Sequence, residues 1–84
     1  MSISPSLVMD KQTFTVQLGV RIREIRESLG VSQSELARRC DKDRQHIEMI
    51  ENGKVTCTSY NLYLICIGLD CSPAELFDFG RSDS

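Results

Sequence analysis

The sequence predicts an all-α chain of five helices built around a helix-turn-helix. Three observations carry that prediction. Two short helical patterns, SQSELARRC (residues 32–40) and DRQHIEMIEN (residues 43–52), are separated only by Asp41 and Lys42; helices joined this tightly must cross at a steep angle. Leu18, Ile22, Ile25 and Leu29 recur at i, i+4, i+7 and i+11, the stripe of an amphipathic helix. The 84 residues contain no Trp and few aromatics, so the chain must close one small, mostly aliphatic core.

Residues 1–12 hold Ser, Pro and isolated apolar side chains without helical periodicity and read as an N-terminal arm, mobile or docked. The domain is expected over residues 13–79. Its first helix spans residues 13–29, with the stripe inward, Arg21, Arg23, Glu24 and Glu27 opposite, and Gly30 as its stop. Val31 then turns back to the core. Ser32 is a good N-cap for the second helix, and Glu35 three residues on completes a capping box, with Leu36 and Ala37 inward. Asp43 caps the third helix, where its carboxylate also suits the positive end of the helix dipole. Ile47 and Ile50 face inward there, and Gly53 stops it. A polar loop over residues 55–59 leads to a fourth helix at residues 59–69, whose inner stripe is Leu62, Ile65, Cys66 and Leu69. Tyr63, Leu64 and Ile67 add more apolar surface than one core face requires. In SPAELF, Ser72 caps a last short helix with Pro73 in its first position and Glu75 in its third. Leu76 and Phe77 pack back, Phe79 follows, and residues 80–84 read as a disordered tail.

With Ile47 and Ile50 inward, helical spacing sends Gln45, Glu48, Met49 and Asn52 outward, and Arg44 projects from the helix start. A short helix with Arg and Gln at its N-terminal end fits the DNA major groove, where Arg pairs with guanine and Gln with adenine. An ordinary solvated polar face is the other reading of the same periodicity.

The pieces LG at Leu18, IREIR from Ile22, LGVSQSELA from Leu29, IEMIENGK from Ile47 and LICIGLDCSPAELF ending at Phe77 together resemble the lambda-repressor/Cro-like helix-turn-helix family, also called the xenobiotic-response-element family. The resemblance covers roughly residues 16–77. It implies a five-helix lambda-repressor-like fold and base contacts from Arg44, Gln45 and Met49, with Glu48 a further candidate. Met49 would touch a thymine methyl. It implies an ion pair between Arg26 and Glu51, with Arg26 also reaching a phosphate. Gln33 would contact a phosphate and brace the recognition helix, a role its place at a helix N-terminus favours independently. Asn52, Lys54 and Thr56 lie where relatives meet the sugar-phosphate backbone. Domains of this family commonly dimerise through their last helices, which implies a symmetric homodimer through Leu64, Ile67, Phe77 and Phe79 and two recognition helices about 34–36 Å apart. The alternative is that Phe77 closes the monomer core and Phe79 is merely exposed.

The net charge of -2 counts against a strongly electrostatic nucleic-acid binder. Its distribution softens the objection. Residues 19–44 carry seven Arg or Lys and five Asp or Glu, whereas residues 45–84 carry two basic and six acidic. Weak non-specific DNA binding and a need for dimerisation follow. Cys40, Cys57, Cys66 and Cys71 include no CxxC and, with His46 the sole histidine, match no common zinc pattern. They read as small hydrophobes in a reducing cytoplasm, with neither metal nor cofactor. No signal peptide or membrane span is legible. His46 lacks a recognisable nucleophile arrangement and no glycine-rich phosphate loop occurs, so no catalytic residue is assigned and no small-molecule ligand is evident. Two function classes remain. One is a transcriptional regulator of cytoplasmic double-stranded DNA at an inverted-repeat operator, whether phage-type repressor, antitoxin-like autoregulator or restriction–modification controller. The other is a protein-interaction module that keeps the fold without strong DNA binding.

Overall fold

The computed structural model describes residues 9–79, and these form five helices in the order α1 (Lys11–Ser28), α2 (Gln33–Arg39), α3 (Arg44–Glu51), α4 (Ser59–Leu69) and α5 (Pro73–Leu76). No strand occurs among the described residues. The expected tail, residues 80–84, and most of the expected arm, residues 1–8, lie outside them. α1 begins two residues before its expected start. Asp10 is its N-cap, and the Asp10 carboxylate accepts the Thr13 backbone N–H at 2.7 Å. Lys11 and Gln12 are therefore helical rather than part of an arm.

Serial caps define the remaining helix starts. Ser32, Asp43, Thr58 and Ser72 each accept the backbone N–H three residues on, which satisfies one orphan donor apiece. Only Ser72 forms the full capping box, with the Glu75 carboxylate accepting the Ser72 N–H at 2.8 Å. The box expected at Ser32 is half-made. The Glu35 carboxylate instead takes Arg38 and Arg39, whose hydrogen bonds hold its pKa below the usual carboxylate range.

The first four helices end in the same way. In each, a left-handed residue follows the last turn, and the next N–H reaches back to the carbonyl five residues earlier: Val31 to Arg26, Lys42 to Ala37, Lys54 to Met49 and Cys71 to Cys66, at 2.8–3.1 Å. This is the Schellman motif. Gly30 and Gly53 supply the left-handed backbone without a Cβ penalty; Asp41 (φ 58) and Asp70 (φ 53) supply it as non-glycine residues. The motif explains one departure from the sequence reading. Gly30 reverses the chain directly after Leu29, so Leu29 is swung out to 47% exposure and Val31 packs against the core in its place.

Ile22, Leu36, Cys40, Ile47, Ile65 and Leu76 have no exposed surface, and Leu18, Ala37, Ile50, Cys66 and Leu69 join them in one core. Burying each large aliphatic side chain contributes about 1.5–3 kcal/mol. α2 packs on α3 and α4, and α1 packs on α3 and α5. The α1–α3 crossing is close: a Cβ on Gly19 would overlap the Ile50 carbonyl oxygen and stand 2.7 Å from that of Glu51. Backbone therefore lies on backbone where α3 leaves the core, and α3 is seated against α1 without an intervening side chain.

Candidate nucleic-acid interface

α3 has eight residues, and one side of it is buried and the other open. Ile47 and Ile50 are buried, while Arg44, Gln45 and Met49 are exposed and Glu48 is half-exposed. The residues expected to face outward do so. His46 is half-buried on the flank of the helix, consistent with a packing role.

Beneath this face lies a chain of polar contacts that starts in the interior. Arg26 Nε donates to Glu51 Oε2 at 2.6 Å and Arg26 Nη2 to Glu51 Oε1 at 3.0 Å, a fork-on-fork ion pair. Arg26 Nη1 donates to the Val31 carbonyl at 2.8 Å. Glu51's hydrogen bonds raise the Arg26 pKa further above its ordinary value. Gln33 Nε2 donates to the same Glu51 Oε1 at 3.1 Å, and Gln33 Oε1 accepts from Arg44 Nη1 at 3.4 Å. Arg44 Nη1 lies 3.6 Å from the Glu48 carboxylate one turn on. A buried carboxylate thus holds Gln33, and Gln33 touches the arginine at the tip of α3.

The Arg26–Glu51 pair expected from the resemblance is present. The phosphate contact expected of Arg26 has little surface to work from: its side chain is 11% exposed and each of its three guanidinium nitrogens donates to an internal acceptor. Gln33 is half-buried at the first turn of α2, bracing Arg44 as expected. Asn52 caps α3, and Asn52, Lys54 and Thr56 are exposed on the turn beyond it. Thr56 Oγ1 lies 3.3 Å from Thr15 Oγ1 of α1, which fastens that turn to the first helix. No buried side-chain nitrogen or oxygen among the described residues lacks a partner.

The four side chains expected at a dimer interface do not form one patch. Ile67 is 56% exposed and Phe77 41%. Leu64 is half-buried against the core, and its carbonyl accepts the Cys40 thiol at 3.5 Å. Phe79 is half-buried in an aromatic cluster with Phe14 and Phe77, at centroid distances of 5.7 and 6.2 Å. Leu64 and Phe79 pack partly against the protein's own core. In their place the structure exposes Tyr60 and Tyr63, stacked at 6.2 Å on α4. A groove of about 940 Å³ runs between α4 and α5, lined by Tyr63, Cys66, Ile67, Pro73, Leu76 and Phe77. The spacing of Tyr60, Tyr63 and Ile67 at i, i+3 and i+7 was the signal available in the sequence.

The cysteines are all free. Cys40 and Cys66 are buried, and Cys57 and Cys71 half-buried. Burial pushes the Cys57 and Cys71 thiols up to about 11. No helix among the described residues is long and apolar enough to cross a membrane.

A helix-turn-helix family model matches residues 22–76. No curated protein sequence matches the chain. Several solved structures do. The restriction-modification controller protein C.AhdI from Aeromonas hydrophila is 35% identical over 75% of this chain and 96% of its own, with a TM-score of 0.73. The clp gene regulator ClgR from C. glutamicum is 26% identical over 79% of this chain and 85% of its own, with a TM-score of 0.77. The restriction-modification controller protein C.Esp1396I, solved as a tetramer with its natural 35 base-pair operator, is 31% identical over 77% of this chain and 86% of its own, with a TM-score of 0.73. Five helices in this order, a polar α3 braced from the core and a family model that spans most of the chain lead to one assignment: the chain belongs to the Cro/C1-type (XRE) helix-turn-helix family.

Proposed function

We propose that this protein is a sequence-specific, DNA-binding transcriptional regulator that inserts α3 into the major groove and binds an inverted-repeat operator as a homodimer. The observation that carries the reading is the outward face of α3, with Arg44, Gln45, Glu48 and Met49 accessible and Arg44 touched by a Gln33 that the buried Glu51 holds. An ordinary solvated face needs no such brace. Arg44 is suited to guanine, Gln45 to adenine and Met49 to a thymine methyl. Gln33, Asn52, Lys54 and Thr56 contact the sugar-phosphate backbone and set the register.

The groove between α4 and α5, lined by Tyr63, Ile67 and Phe77 and with Tyr60 stacked on Tyr63, is the surface for the second copy. Among regulators, the restriction–modification controllers are the class best supported, because the match to C.AhdI takes in 96% of that protein. The net charge of -2 favours the competing reading, a protein-interaction module.

Selection from random duplex DNA by gel shift separates the two. A regulator enriches an inverted repeat; an interaction module enriches nothing. Sedimentation equilibrium at micromolar concentration tests the dimer, and a chain that stays monomeric even on DNA removes that part of the reading.

A further inference from the structure

We infer that Glu48 reads the amino group of a cytosine, so that each half-site carries a C·G pair about two steps from the guanine taken by Arg44; this rests on the DNA-binding reading above. The argument begins with the cost of a carboxylate at that position. Glu48 lies on the same face as Arg44, with its side chain 47% exposed. In a groove flanked by phosphates, a carboxylate is repelled and loses water, so it must find a donor. Arg44 is one, at 3.6 Å, and it offsets part of the repulsion. That contact engages a single guanidinium nitrogen weakly, and the fork retains donors for the two acceptors of guanine.

The remaining lone pairs of Glu48 need a base donor. The major-groove edge offers only two, the amino groups of cytosine and adenine. On adenine the amino group stands beside the N7 acceptor, which repels a carboxylate. On cytosine no acceptor adjoins it on the same base. Cytosine is therefore the base Glu48 selects. Four residues of helix rise about 6 Å, close to two base steps of about 3.4 Å, so Arg44 and Glu48 address pairs about two steps apart rather than the same one.

The test is parallel selection from random duplex DNA with wild type, Glu48→Ala and Glu48→Gln. The substitutions lie on the surface, and circular dichroism verifies that the helices remain. Wild type enriches a site containing C at one position near a G. Glu48→Ala keeps the rest of that site and loses the C preference by roughly tenfold, about 1.4 kcal/mol. Glu48→Gln moves the preference at that position toward A, because an amide pairs with the adenine amino group and N7 together. If both variants select the same bases as wild type at every position, the inference is wrong while DNA binding stands. If only the guanine position changes, Glu48 merely holds Arg44 and the direct reading is wrong. If wild type enriches no site, the DNA-binding reading falls and this inference with it.

Discussion

Truncating Glu51 removes the one carboxylate that joins the interior to the tip of α3. Its side chain is 1% exposed and accepts from Arg26 at 2.6 and 3.0 Å and from Gln33 at 3.1 Å. In Glu51→Ala the Arg26 guanidinium remains buried, keeping the Val31 carbonyl at 2.8 Å and, at 4.0 Å, the carboxylate of Glu27 near the surface. Orphaning a buried charge in this way costs about 3–5 kcal/mol. Domains hold roughly 0.05–0.15 kcal/mol per residue, or about 4–13 kcal/mol for a chain this long, so the loss is a large share of the total. Urea unfolding followed by circular dichroism reads it directly. With a slope of about 1 kcal/mol/M, the midpoint falls by about 3 M or more. If the folded baseline is lost, a thermal melt shows a drop of roughly 12 °C or more. The double variant Arg26→Met/Glu51→Leu separates charge from packing, because replacing a whole buried pair by apolar groups is near neutral. A midpoint for Glu51→Ala within about 0.5 kcal/mol of wild type, the range of ordinary surface changes, refutes the reasoning. A double variant as unstable as Glu51→Ala would show that the loss is packing rather than an orphaned charge.

Gly19→Ala forces a methyl onto the carbonyls of Ile50 and Glu51; overpacking of about 1–3 kcal/mol outweighs the better helix propensity of Ala, about 1 kcal/mol, and chemical denaturation shows a net loss. The Asp10 carboxylate accepts the Thr13 N–H, which depresses its pKa. Its stabilisation is therefore complete above the unfolded-state pKa and disappears as pH falls through the lower folded value. Asp10→Ala then melts below wild type at neutral pH, and the gap closes on acidification; a gap independent of pH contradicts this. Arg44→Ala relaxes preference at one base position by about 1–3 kcal/mol, whereas Lys54→Ala weakens binding to all sequences and lowers the salt slope by about 1. Titrating operator variants at several salt concentrations distinguishes them, and equal losses at every sequence for both variants contradict the division of roles.

Much of this fold was legible because it is written in local chemistry. Ser32, Asp43 and Ser72 cap where cap residues precede apolar periodicity, and the limits of α4 fall at Ser59 and Leu69. The α3 face followed from two inward isoleucines. What escaped depends on contacts between parts. The cap at Asp10 is hard to read because the residues before it show no helical period and no Glu or Gln follows at the third position. Glu35 had the right spacing for a capping box, but Arg38 and Arg39 compete for its carboxylate. Leu29 matched the stripe, yet the reversal at Gly30 decides which side it faces. The resemblance implies a phosphate contact for Arg26; only the three-dimensional packing shows how little of its side chain is left exposed. Hydrophobicity does not distinguish Leu64 and Phe79, which lean on the protein's own core, from Tyr60 and Ile67, which stand bare.

The polar chain ends at Arg44 and Glu48, and Gln45 and Met49 stand clear of it, with no side-chain hydrogen bond among the described residues. Gln45 and Met49 are thus free of the contacts that hold Arg26, Gln33 and Glu51. Exchanging Gln45 and Met49 alters what the helix meets in a groove at a folding cost within about 0.5 kcal/mol, while Arg26, Gln33 and Glu51 stay as they are. On the proposed function, a duplicated copy of this chain acquires a new binding preference through two substitutions, without passing through an unstable intermediate.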